Sequence, residues 1–168
     1  EKKAEAAKKA EEERLAAEKA EAERVAAEAA EAEKKAAAAI AEYVAIQTDA
    51  EAAKREVEAA KTAPASVASP ADKIAALQDQ VKQLNDLQAA QKKNHEELVA
   101  RLGAADTKAQ KDGVLGAEGD GVTDAQQKAT EAVKNFEEAV KNLAEAVQNL
   151  EKKAEAAKKA EEERLAAE

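Results

Sequence analysis

VTDAQQKATEAVKNFEEAVKNLAEAVQNL, residues 122–150, carries the cleanest periodicity in the chain. Val122, Ala129, Phe136, Leu143 and Leu150 recur every seven residues. Ala125, Ala132, Ala139 and Ala146 follow three positions later, and Val133, Val140 and Val147 widen the stripe. Three apolar positions per heptad predict an α-helix whose stripe packs against two neighbours rather than one. The helix is expected to start at Thr123 or Asp124, with Gln126 completing a capping box three residues after Thr123. Nothing stops it at Leu150, because no Gly or Pro occurs between Val122 and Glu168.

Beyond Leu150 the chain reads EKKAEAAKKAEEERLAAE over residues 151–168, and residues 1–18 read the same without a change. Composition bias gives similar ends; it does not give eighteen identities in register. The chain therefore reads as one 150-residue period of a tandem array plus the start of the next. Unrolled, a single helix would run from Val122 through the next copy to the equivalent of Lys61. That is about 90 residues, or about 135 Å at 1.5 Å per residue.

Two further helices are needed to cover the wide stripe. A seam spaced alternately three and four apart runs Leu15, Glu18, Ala22, Val25, Ala29, Ala32, Ala36, Ala39, Tyr43, Ile46, Ala50, Ala53, Val57 and Ala60, a coiled-coil or bundle face. This face gains bulk from Ile40 onward and should end near Lys61, because Pro64 disfavours helix at Ala63. After the connector TAPASVASP, Ser69 can cap a second helix, with Pro70 at its first position and Asp72 at its positive end. Its seam is Ile74, Leu77, Val81, Leu84, Leu98 and Leu102, with Gln88, Gln91 and His95 making the middle polar. Gly103 is expected to end it. All five glycines fall within residues 103–121, which reads as one long loop.

The expected organisation is a charged helical spacer over 1–30 and a bundle over 31–150, with 151–168 opening the next copy. The bundle helices lie at about 31–61, 70–102 and 123–150. The fold class is all-α: an elongated antiparallel three-helix bundle or coiled coil, its third helix continuous with the first helix of the next repeat. Composition agrees. Aromatics are 1%, namely Tyr43 and Phe136, and Trp, Cys and Met are absent. The 45% hydrophobic content is mostly alanine, which buries little area per residue. Alanine, Glu, Lys, Arg and Leu dominate, as in long helices and coiled coils.

In residues 1–38 only Leu15 and Val25 fall outside Ala, Glu, Lys and Arg. Opposite charges four apart, such as Arg14–Glu18, Arg24–Glu28 and Glu31–Lys35, support an exposed helix. This composition resembles the Ala/Lys/Glu spacer helix of TolA-type proteins. The helix-up, helix-down, helix-up connectivity, the third helix becoming the first of the next unit, resembles the spectrin-type repeat. Two features depart from that family: the helix-marking Trp is missing, and the period is longer by the charged spacer. The resemblance implies a rod built of tandem bundles.

Little in the sequence points to chemistry. His95 is the lone histidine and has no nucleophile or ligand partner in a catalytic or metal pattern. Asp106, Asp112, Glu118, Asp120 and Asp124 invite a calcium reading, but the D-x-[DN]-x-[DN]-G pattern is not met. The glycines form no phosphate-cradling motif. No catalytic, cofactor or metal residues are assigned, and the chain is not expected to be an enzyme. Net charge is −9 with the signs interspersed; no basic stripe suggests nucleic acid, and no apolar run suggests a membrane span.

The expected function is a structural spacer in a long helical rod or filament, a stalk, fibre or cytoskeletal-type protein. Its partners would be neighbouring repeats of the same chain, with self-association into filaments or coiled coils. An alternative is a protein-binding bundle module of a repetitive surface protein. A second alternative is an amphipathic, lipid-binding or stress-protective helical protein. Extracellular surface and cytoskeleton are both compatible locations.

Overall fold

A computed structural model describes residues 1–61, 70–116 and 121–168. The described chain forms three helices, α1 (Lys2–Lys61), α2 (Pro70–Lys111) and α3 (Val122–Ala167). Each packs on the other two. α3 shares the most with α1, then with α2, and the α1–α2 pairing is the smallest.

The wide stripe of α3 explains that ranking. Val122, Ala125, Ala129, Ala132, Val133, Phe136, Ala139, Leu143 and Val147 are all buried, and Val140 and Leu150 pack partly buried against them. α1 contributes Ala36, Tyr43, Ile46, Ala50, Ala53 and Val57, and α2 contributes Leu84, Leu98, Ala105 and Ala109. Alanine recurs at these positions because it lets helix axes approach closely. The few bulky side chains, Tyr43, Ile46, Phe136, Leu98 and Leu143, are fully buried and supply most of the apolar area.

Polar contacts fix the register. Along α1, Tyr43, Asp49 and Glu56 reach Asp106, Arg101 and Gln91 in turn, so partners descend α2 as they ascend α1. The same holds between α3 and α2, where Gln126, Phe136 and Glu151 meet Asp106, His95 and Asn85. On this register α1 overshoots the bundle at its beginning and α3 overshoots α1 at its end.

The α1 seam divides sharply. Every residue from Glu1 to Lys35 is exposed, and burial begins at Ala36. Leu15 and Val25 are 51% and 52% exposed, so their heptad spacing meets no partner here. This stretch is held by itself. Arg14 binds Glu11 at 2.5 Å and Glu18 at 2.7 Å, and Arg24 repeats the arrangement with Glu21 and Glu28. Each arginine thus bridges back three and forward four residues along one face.

Two sequence expectations are corrected. α2 does not stop at Gly103. The three–four spacing runs on through Leu98, Leu102, Ala105 and Ala109, and tertiary contact there outweighs the roughly 1 kcal/mol cost of a helical glycine. The stop is at Gly113, which adopts φ +72°. Its N–H donates to the Gln110 carbonyl and the Val114 N–H to that of Ala109. Val114 and Ala109 are both buried, which completes a Schellman motif with its apolar contact. The expected 103–121 loop therefore begins only after Lys111. Nor does the capping box form. α3 starts at Val122 behind Gly121 with no side-chain cap; the Thr123 hydroxyl accepts from Gly116 N–H, and Gln126 is drawn to α2. Pro70 is the first residue of α2 as expected; the cap assigned to Ser69 lies outside the described residues.

The chain exposes 11712 Å², against about 7,900 Å² for a compact monomer of its mass. Stability should accordingly concentrate in the bundle. Phe136→Ala should cost about 3–5 kcal/mol, while Leu15→Ala should stay within about 0.5 kcal/mol. Thermal or urea melts of the two variants check this, and the reverse order would misplace the core.

Candidate functional site

The most elaborate polar constellation lies where all three helices meet. Tyr43 on α1 is fully buried, so its hydroxyl needs a partner. It donates to Asp106 Oδ1 on α2 at 2.5 Å. Gln126 Nε2 on α3 donates to the same oxygen at 2.9 Å. One carboxylate oxygen therefore ties three helices. Burial, then the hydrogen bond and negative charge of Asp106, push the Tyr43 phenol well above its ordinary pKa.

A turn and more along the α1–α2 seam, Arg101 Nη1 binds Asp49 Oδ2 at 2.6 Å, with Glu42 at 3.7 Å from Nε. The hydrogen bond to Asp49 leads in raising the guanidinium pKa. Beside it a groove of about 280 Å³ opens between α1 and α2. Alanines 38, 39, 104, 105 and 109 line it together with Lys35, Glu42, Arg101, Lys108 and Asp112. Charges of both signs thus rim an alanine floor.

Further along, buried Gln91 donates to Glu56 Oε2 at 3.2 Å and accepts from Asn94 at 3.3 Å. Of the polar middle of α2 read from the sequence, Gln91 is thus bound in the interface. His95 tilts against Phe136 with ring centroids 5.9 Å apart. Its Nε2 is buried without a hydrogen-bond partner, and no acid–base pair forms on it.

The seam residues fall into three environments. Tyr43, Ile46, Val57, Leu84, Leu98, Val133, Phe136, Leu143 and Val147 are buried; Leu102, Val140 and Leu150 pack at the edge of that core. Ile74, Leu77 and Val81 are half-buried on the first turns of α2, outside it. Of the acids considered for calcium, Asp106 is in α2 with Tyr43 and Gln126, Asp124 pairs with Lys128 on α3, and Glu118 and Asp120 lie outside the described residues. Among the described residues no three His, Cys, Asp or Glu are placed to hold a metal ion, and no helix is long and apolar enough to cross a membrane.

The Asp106 hub was missed by sequence reasoning because Gly103 put Asp106 in a loop. Two signals were available: the seam spacing continues to Ala105 and Ala109, and a tyrosine on an apolar seam requires a hydrogen-bond acceptor. The hub makes a pH prediction. The folded phenol resists ionisation more than the unfolded one, so its stabilisation is complete below the ordinary tyrosine range near ~10. It is lost as pH rises beyond that range. Tyr43→Phe should cost about 1–2 kcal/mol at neutral pH, at the low end for a bond to a charged group because Asp106 is half-buried. Its melting temperature should also fall less steeply than wild type above pH ~10. Parallel profiles, in which lysine titration is common to both chains, would contradict the hub.

No family model, curated protein or solved structure matches this chain.

Proposed function

We propose that the chain is the spacer unit of a tandem-repeat helical rod. In this reading the unit is an elongated antiparallel three-helix bundle, and α3 runs on as α1 of the following copy, as in the spectrin-type arrangement it resembles. The observation that carries the proposal is that one eighteen-residue sequence is helical in both places. It opens α1 from Lys2, and it continues α3 from Glu151 to Ala167 without a break at Leu150. The surface area, well beyond that of a compact monomer, supports an extended body. The self-bridged charges of residues 1–35 support a stretch that stays helical without a core.

A continuous helix transmits orientation and load between units; a flexible joint does not. The second reading, a protein-binding module, draws support from the alanine-floored groove between α1 and α2. The two readings diverge at the junction. In a chain of two joined copies, spin labels on either side of Leu150 should give a narrow distance distribution, and a Gly-Pro insertion after Leu150 should broaden it. A broad distribution without the insertion would reject the rod in favour of independently moving modules.

A further inference from the structure

Residues 11–18 and 21–28 read EEERLAAE and EAERVAAE, identical at six of eight positions and ten residues apart. Each unit sets one bulky apolar residue, Leu15 or Val25, directly after an arginine that bridges back three and forward four residues. Ten residues is three plus seven, so both fall on the seam that α1 buries from Ala36 onward, in unbroken phase with Tyr43 and Ile46. Over the spacer that seam is open. Leu15 and Val25 are about half exposed, and Glu18, Ala22, Val25 and Ala29 form one shallow, mostly apolar face with Arg14 at its edge. The exposure recurs in a second setting: Leu165, which stands where Leu15 does in the repeated segment, is exposed as well. A charged helix that stands alone has no need of bulk on one face. Here the bulk continues an established interface.

From this we infer that residues 12–33 of the spacer pair with the same stretch of a second molecule of this chain, running antiparallel. Charge selects the direction. In heptad register Leu15, Ala22 and Ala29 take a positions, and Glu18, Val25 and Ala32 take d positions. Arg14, Glu21 and Glu28 then stand at g, and Lys19, Ala26 and Glu33 at e. These flanking positions set orientation. A parallel pair puts each g residue beside the e residue five further along the other helix. That opposes Arg14 to Lys19 and Glu28 to Glu33, twice each, with no opposite charges among them. An antiparallel pair sets a against d and g against g. With Leu15 on Val25 of the second molecule, both bulky residues stack twice and Glu18 lies across from the small Ala22. Arg14 meets Glu28 at both ends. Two like pairs fall at the centre, Lys19 on Lys19 and Glu21 on Glu21, and each Glu21 is already held by its own Arg24. Opposite charges thus support the antiparallel pair, and like charges work against the parallel one. The contact is two-fold, the same patch on both molecules. It is small taken singly, and each further period of an array repeats it at the same spacing, which multiplies its hold. The inference rests on the rod reading and names what the open stretch of the rod binds.

Because the chain has no cysteine, full chains carrying Glu18→Cys or Ala22→Cys can be mixed in equal amounts and equilibrated in a glutathione redox buffer. The antiparallel register puts residue 18 beside residue 22, so the mixed disulfide should exceed the two homodisulfides together several-fold. A mixed yield no greater than their sum is the random result and would overturn the inference. Predominance of the homodisulfides, the mark of a parallel pair, would also overturn it. Both positions lie on the exposed spacer, so neither substitution touches the bundle. In a second measurement two joined copies, which present the contact twice, are followed by sedimentation equilibrium. They should approach twice their own mass as concentration rises. Leu15→Glu with Val25→Glu in every copy should return them to monomer, with helicity unchanged by circular dichroism. Joined copies that stay monomeric without these substitutions would leave the seam to some other partner and overturn the inference, as would association that survives them. The disulfide test needs only single chains. Random disulfides alongside a narrow junction distance would therefore remove the pairing and leave the rod.

Discussion

Everything ordered in this molecule beyond bare helix depends on α3 lying between two partners. A stripe of three apolar positions per heptad is too wide for one neighbour. α1 and α2 each take one side of it. Glu1–Lys35 precedes the point where α3 begins alongside α1, and all of it is exposed. Alanine makes the close approach available, while Phe136, Leu143, Tyr43, Ile46 and Leu98 supply the bulk that makes it favourable. With so few large side chains, each carries a large share of a stability that is marginal in any domain.

An alanine-rich seam specifies register weakly, since one methyl resembles the next. The polar contacts supply what the methyls lack. Asp106 binds Tyr43 and Gln126, Arg101 binds Asp49, and Gln91 binds Glu56. Sliding α2 by one heptad would break all of them and leave the Tyr43 hydroxyl and Gln91 amide buried without partners, a cost of about 1–3 kcal/mol each. These groups therefore act as pins between helices. The rod proposal needs such pins, because a load-bearing bundle that slips along its seam does not hold its length.

The sequence made the helices and most of the core legible because heptad spacing reports directly on which face is buried. Val122 to Leu150 was readable for this reason; the end of α1 at Lys61 was readable from Pro64, which disfavours helix at Ala63. Periodicity does not report whether a partner exists. Leu15 and Val25 keep the spacing of Tyr43 and Ile46 yet face solvent, since no helix reaches them. Glycine misled for a related reason. Gly103 and Gly113 look alike as local stop signals, but Gly103 is followed by the small Ala104, whereas Gly113 is followed by the larger Val114, which folds back so that its N–H reaches the Ala109 carbonyl. With α2 ended too early, Asp106 fell into a loop and its role between helices was hidden. Thr123 and Gln126 fit a capping box locally, and Gln126 was claimed instead by Asp106. In each case a local preference worth about 1 kcal/mol gave way to a tertiary contact.

The repeated segment isolates that principle within one molecule, since local sequence is held constant while the partner changes. In the second copy Arg164 holds the Glu161 carboxylate below its usual pKa, and the Glu161 side chain is 18% exposed where that of Glu11 is 56%. Backbone amide exchange, read residue by residue by NMR on the intact chain, tests the account most directly by comparing Glu11 with Glu161. Glu161 lies nearer to a helix end, so fraying and local propensity alone would make its amide exchange faster. If packing against α2 governs the segment, Glu161 should exchange slower than Glu11, by about tenfold or more for about 1.4 kcal/mol of local protection. Equal rates, or faster exchange at Glu161, would contradict it.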